Sequence, residues 1–340
     1  MTRRVLLFLT LIAGTAGQPG RQDGRGWPVG SVTHKLFDTG DGYLHYVTSG
    51  DNSVKSRPPM VLLHSYPRST LEFKYLITTA HSGQPFIAVD YFGMGASDEY
   101  TPKQFSHPLC SPQDMAQHVC EILRLELGGE CDEHEFSVVG HMEGAHVAIA
   151  LAFSRPVKKL VLLNPLILSP SGMAIIDNKR VPMLKQKKVQ ADGSHFLAAW
   201  NDPSTAPTDL GLFANQEKTM DELSALNTGW QYVAAWSEYN GEGGGHVYDQ
   251  LLGLGKDYDD VDILFIYGEA FLADAKKQEL DPQFSFDTFA RASADPDKPR
   301  TYQNTTKIIK GAGQHMLVEN VSVLAPIILD FVSAPPVVHV

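Results

Sequence analysis

The sequence predicts an α/β fold, a mostly parallel central sheet flanked by helices and interrupted by an inserted, mainly helical cap. Three observations predict it. Short, continuously apolar runs such as "PMVLLH", "PFIAVD" and "KKLVLLNP" have the length and composition of strands buried on both faces. Between them lie stretches with helical spacing, as in "DMAQHVCEILRLEL", where Met115, Val119, Ile122, Leu123 and Leu127 share one face. The strand signal then stops at Pro165 and returns only at "DILFIYG", Asp262 to Gly268, which places an insertion between two halves of one sheet.

The elements justify themselves in order. Arg3 and Arg4, the apolar run "VLLFLTLIA" and the small residues of "GTAGQ" have the order of a secretory signal peptide, expected over residues 1–17. The run is too short to span a bilayer, and no later segment is long and apolar enough to do so. "SVTHKLFDT" and "GYLHYVTSG" read as a hairpin turning at Gly40, Asp41 and Gly42. The first part of the core, residues 31–165, continues through the buried strands, the helix Asp114 to Leu127 ended by Gly128 and Gly129, and "FSVVG" with an apolar helix after Gly144. Residues 166–256 form the expected cap, carrying Trp200, Trp230, Tyr232, Trp236 and Tyr239, which read as the cap's own core or as the lining of a cavity. The second part, residues 257–334, adds "DILFIYG", "TTKIIKG" and the closing helix "VSVLAPIILDFV", before a tail at 335–340.

Composition excludes several functions. With 43% hydrophobic and 20% charged residues among 340, the chain can bury a sizeable core. A net charge of -11, with no basic block beyond runs such as "KQKK", argues against nucleic acid as a partner. Three cysteines, Cys110, Cys120 and Cys131, lie close together; in an oxidising compartment two could pair, and sequence does not choose which. They form no zinc pattern, His141 and His146 lack metal-ligand spacing and read as packing or surface residues, and no cofactor or metal is expected. Asn304 in "NTT" and Asn320 in "NVS" are candidate glycan acceptors.

The chemistry concentrates in five motifs: "HSYPRS" after one buried strand, "DYFGMGASD" after the next, "GHMEG" at a strand-to-helix turn, "YGEAFL" after a later strand, and "GAGQHMLVEN" before the last helix. In this order they resemble the α/β-hydrolase superfamily from Ser31 to Val332, most closely its cap-bearing epoxide hydrolase, dehalogenase and esterase-like branch. The resemblance implies a nucleophile, acid and histidine triad beneath a lid. At the nucleophile position stands Met142, which has no proton to lose; at the acid position stand Ala270 or Phe271, with Glu269 just before; at the histidine position stands Gln314, five residues before Glu319, with His315 one place along.

His64 and Ser65 occupy the turn that supports the oxyanion hole, whose main-chain donors would be Tyr66 and Glu143. Gly93, Gly95, Ser97 and Asp98 shape a turn at the sheet edge, and Glu143 reads as a carboxylate at a helix N-terminus. The expected function is that of an exported, non-hydrolytic protein of hydrolase fold that binds a small hydrophobic molecule in an apolar pocket floored by Met142. Two alternatives stand beside it. One is an enzyme, either a hydrolase relocated onto Glu143 and His315 or a lyase, isomerase or cyclase using the pocket; the other is a secreted protein-interaction module.

Overall fold

A computed structural model of the chain describes residues 32–49, 57–65, 68–79, 83–98, 111–165, 246–257, 261–277, 286–287 and 304–334. The expected signal peptide, the tail, Cys110, Tyr66 and the cap up to residue 245, with its Trp and Tyr residues, lie outside them. The described strands are β1 Val32–Asp38, β2 Tyr43–Ser49, β3 Met60–Leu63, β4 Phe86–Val89, β5 Phe136–His141, β6 Val157–Leu163, β7 Asp262–Gly268 and β8 Asn304–Ile309. The helices are α1 Lys74–Thr79, α2 Pro112–Leu127, α3 Gly144–Ser154, α4 His246–Asp257, α5 Glu269–Lys277, α6 Met316–Glu319 and α7 Val321–Ser333.

The strands join in the order β1-β2-β4-β3-β5-β6-β7-β8. The pairs β1–β2 and β2–β4 are antiparallel, and every pair from β4 to β8 is parallel. The chain leaves β3 towards β4 and returns to place β5 on β3's other side, so the sheet's topological switch point lies between β3 and β5. In open α/β sheets the crevice at the carboxyl ends of the strands at such a point is where ligands bind. Register aligns those ends, for Leu63 faces Gly140, and Gly140 faces Leu162.

Burial explains why these segments are strands. Every residue of β3, β4, β5 and β7 is buried, as continuous apolar runs require when both faces are covered. One core cluster packs α2, α3 and α4 on one face; the other packs α1, α6 and α7 on the opposite face. Helix α4, within the stretch assigned to the cap, contributes Val247, Leu251 and Leu254 to the core beside α3, and its Gly253 admits the Phe153 ring.

Helix α2 begins at Pro112, two residues earlier than its apolar period suggests. Ser111 accepts from the Asp114 N–H, the Asp114 carboxylate accepts from the Ser111 N–H, and Pro112 sits where no N–H is needed. Among the described residues no helix is long and apolar enough to cross a membrane. Asn304 opens β8, and Asn320 is half-buried between α6 and α7.

Candidate functional site

The turn between β5 and α3 is the centre of the site. Met142 has φ 48, in the left-handed region that costs a side-chain-bearing residue roughly 1–2 kcal/mol. Crowding enforces the turn. A Cβ on Gly140 would collide with the Gly144 backbone, and one on Gly144 would collide with the Leu63 carbonyl, so only glycine lets α3 start this close to β3. The Met142 N–H donates to Leu163 O at 2.9 Å, and Met142 O accepts from the Ala145 N–H at 3.0 Å. The Met142 side chain is half-buried against the core. Glu143 caps α3 without a side-chain hydrogen bond to it, and its carboxylate lies within electrostatic reach of His64 and Tyr91.

The segment after β3 carries a buried polar network. His64 Nδ1 bonds Ser65 O at 2.8 Å, and His64 Nε2 accepts from the Tyr91 N–H at 3.2 Å; both are satisfied at once by a neutral ring with its proton on Nδ1. Burial agrees, pushing His64 below the usual histidine range against the pull of Asp90. Asp90 accepts from the Thr70 N–H, His45 Nδ1 and the Ala96 N–H at 2.6, 2.7 and 3.0 Å. Burial alone would raise its pKa, yet these bonds hold it below the usual carboxylate range. The expected structural turn is present, with Ser97 Oγ donating to Asp90 O and Asp98 accepting from the Tyr43 N–H.

Ser65 turns its polarity away from any oxyanion, donating its N–H and Oγ to Glu72 at 2.8 and 2.7 Å. Glu72 also receives His141 Nδ1 at 2.8 Å. Burial opposes ionisation of Glu72, but His141, Arg68 and the Ser65 N–H outweigh it and bring the carboxyl to about 2. His141 is therefore no simple packing or surface residue. It is buried and paired, and among the described residues its Nε2 has no hydrogen-bond partner.

At the acid position Phe271 is buried in the core and Ala270 donates its N–H to Ala312 O at 2.9 Å. Glu269 is exposed and accepts from the Gly311 N–H at 2.9 Å, a loop contact. Asn164, at the end of β6, holds φ 45 and joins the two neighbouring loops: its Oδ1 accepts from the Gly268 N–H at 2.8 Å and its Nδ2 donates to Gly313 O at 2.9 Å.

At the histidine position Gln314 is half-buried, while His315 is buried and faces the network. His315 Nδ1 lies 2.9 Å from Arg68 Nη2. A guanidinium can only donate, so Nδ1 accepts. Burial and then the Arg68 charge push His315 well below its usual range, with Glu72 opposing and His141 reinforcing the shift. A triad needs the opposite arrangement, a carboxylate on the Nδ1 side to stabilise the imidazolium.

The structure thus places His64 and Ser65 after β3, Met142 and Glu143 after β5 and His315 after β8, all at the carboxyl edge of the sheet. Glu72 is bound to Ser65, Arg68 to His315 and Asp90 lies beside His64, while Asn164 joins the loops after β7 and β8. Sequence reasoning missed Arg68, Glu72, Asp90 and Asn164. The only signal was polarity out of place: Glu72 interrupts the buried run Leu71 to Phe73. Among the described residues no group of three or more His, Cys, Asp or Glu could hold a metal ion.

No family model matches the chain. "Putative hydrolase LipZ" of Mycobacterium tuberculosis is 36% identical over 61 residues, which is 18% of this chain and 20% of LipZ. The match spans about a fifth of that relative's length. Solved structures agree over far more of the chain. The epoxide hydrolase CorEH superposes with a TM-score of 0.56 at 18% identity, covering 88% of this chain and 98% of that one. A thermophilic esterase from Thermogutta terrifontis gives 0.60 at 18%, covering 88% and 97%. The chain has the α/β-hydrolase fold. A thioesterase domain from the curacin biosynthetic pathway shares the α/β-hydrolase fold too, at a TM-score of 0.53 and 15% identity, covering 88% and 99%. Neighbours named for epoxide, ester and thioester chemistry on one fold leave function to be argued from the site itself.

Proposed function

We propose that this is an exported α/β-hydrolase-fold protein without hydrolytic chemistry, which binds a small hydrophobic molecule at the carboxyl edge of its sheet. One observation carries the reading: Arg68 stands on Nδ1 of His315, where a working base needs a carboxylate. Taking a proton would make His315 an imidazolium beside a guanidinium. Two unit charges about 4 Å apart repel by about 4 kcal/mol at an effective dielectric of 20, roughly a thousandfold in rate. That is comparable to the whole gain of roughly 10²–10⁴ that a positioned base supplies.

Met142 supports the same reading, since its thioether cannot attack carbon as a hydroxyl, thiolate or carboxylate does. The half-buried thioether and the Glu143 N–H beside it suit a ligand with an apolar body and one carbonyl or carboxylate oxygen. Export is supported by Arg3, Arg4 and the apolar run that follows them.

The test is turnover of short-chain aryl esters and aryl epoxides by the wild type, Met142→Ser, Met142→Asp, and Met142→Ser combined with Arg68→Glu. The first three should stay at background, because restoring a nucleophile leaves the base next to a cation. Turnover by the wild type that disappears in His315→Ala, or covalent labelling of the site by a serine-directed fluorophosphonate, would overturn the proposal. Binding is read separately, as a rise in unfolding midpoint with hydrophobic carboxylic acids and ketones.

A further inference from the structure

Two thiols outside the site meet inside the core. Cys120 lies on α2, and Gly128 and Gly129, at φ 76 and 72, turn the chain back after the helix. The return is pinned by the Gly128 N–H on Arg124 O at 3.0 Å and by Arg124 Nη2 on Glu130 Oε1 at 2.7 Å. Cys131 opens the short 3-10 turn Cys131–Glu133 that follows, and it joins Cys120 in the same buried core cluster. Both cysteines are buried and unbridged, at 2% and 3% exposure.

A cation attends one of the two. Arg155 Nε donates to Cys120 Sγ at 3.2 Å, while the same guanidinium reaches Gln117 Oε1 at 3.2 Å and Asp132 Oδ1 at 3.5 Å. Arg155 thus straddles the pair, touching α2 on one side and the residue after Cys131 on the other. The hydrogen bond from Cys131 brings the Cys120 thiol down to about 7; burial resists and Arg155 assists. Cys131 moves the other way, far above its usual range, first through the same hydrogen bond and then through burial. The thiolate is the nucleophile in disulfide exchange, so the two sulfurs are unequal partners.

We propose that Cys120 and Cys131 form an intramolecular disulfide, with Cys120 the attacking sulfur and Cys131 the resolving one. The oxidant is a disulfide of the glutathione class. The Cys120 thiolate attacks one sulfur of the oxidant, forming a mixed disulfide and expelling one thiolate, which takes up a proton. Cys131 then loses its proton and attacks Cys120 Sγ, expelling the second thiol. One oxidant disulfide is reduced to two thiols and one protein disulfide forms. Because both sulfurs are buried once the core closes, exchange belongs to the last stage of folding, when α2 and the Cys131 turn have already met at Arg155 but the core has not yet closed over them. The bond ties α2 to the segment that feeds β5, whose far end is the Met142 turn. Cys110 stays reduced.

The test uses the full chain, reduced and unfolded in guanidinium, then refolded with glutathione disulfide in excess, quenched with acid and alkylated. Titratable thiols should fall from three to one. Peptide mapping should find Cys120 joined to Cys131 and Cys110 alkylated; cleavage before Asp114 separates Cys110 from Cys120, which share a tryptic peptide. Three alkylated thiols, or a bond that includes Cys110, overturns the proposal. Single variants then identify the attacker. Cys131→Ser should trap glutathione on Cys120 in greater yield than Cys120→Ser traps it on Cys131, and the reverse order overturns the assignment of roles. Since the redox potential is set in the tube, the outcome does not depend on whether the chain is exported.

Discussion

Asn164 shows how much one side chain can hold in place. It sits at left-handed φ on the end of β6 and bonds a main-chain donor after β7 and a main-chain acceptor after β8. Asn164→Ala would leave the buried Gly268 N–H and the part-buried Gly313 carbonyl without this partner, at about 1–3 kcal/mol for the first and about 1 for the second. A loss of about 2–4 kcal/mol in urea unfolding is expected; a loss below about 0.5 would mean the loops do not depend on it. Nothing in "LLNP" advertised this, because Asn before Pro at a strand end reads as the start of a loop. The Met142 turn was legible, since Gly140 and Gly144 at fixed spacing are a local signal. Arg68 and Glu72 were not: their partners His315 and His141 lie 247 and 69 residues away, and pairing at that range leaves no trace in spacing.

At the scale of elements, α2 is the most self-determined piece. Its capping box, Pro112 and apolar face all point to the same helix, and Ser111→Ala should cost about 1 kcal/mol in thermal or chemical unfolding while the sheet stays intact. The apolar period alone placed its start at Asp114, since a period marks the buried face and the cap marks the end. The strands were legible for a different reason. Four-residue runs such as Met60–Leu63, buried throughout, cannot be mistaken for half-exposed strands. Helix α1 and the 3-10 turn before it escaped notice because "TLEFKYLI" is too short and too evenly apolar to show a helical period.

For the whole molecule, the buried titratable groups set how stability responds to pH. His64 and His315 are held below 6.5, and His34, half-buried beside His45, is lowered to about 4, first by desolvation and then by the His45 charge. Each stays neutral in the fold while the unfolded chain's imidazole takes a proton, so stability should fall as pH drops below about 6.5. Glu72, at about 2, and Asp90 are depressed carboxylates; their contribution is present above about 4.5 and is lost as pH falls towards 2. Urea midpoints between pH 8 and 3 should decline in these two stages, and His315→Gln, which can still accept from Arg68, should flatten the first. An unchanged slope in that variant would remove His315 from the account.

The left-handed turn at Met142 also has a practical side. Its shape comes from two glycines and a neighbouring strand, so the residue at its tip is presented on a fixed mount whatever its identity. A cysteine substituted there would be an addressable handle. A fluorophore or spin label attached to it would report from the carboxyl edge of the sheet, beside the switch point between β3 and β5.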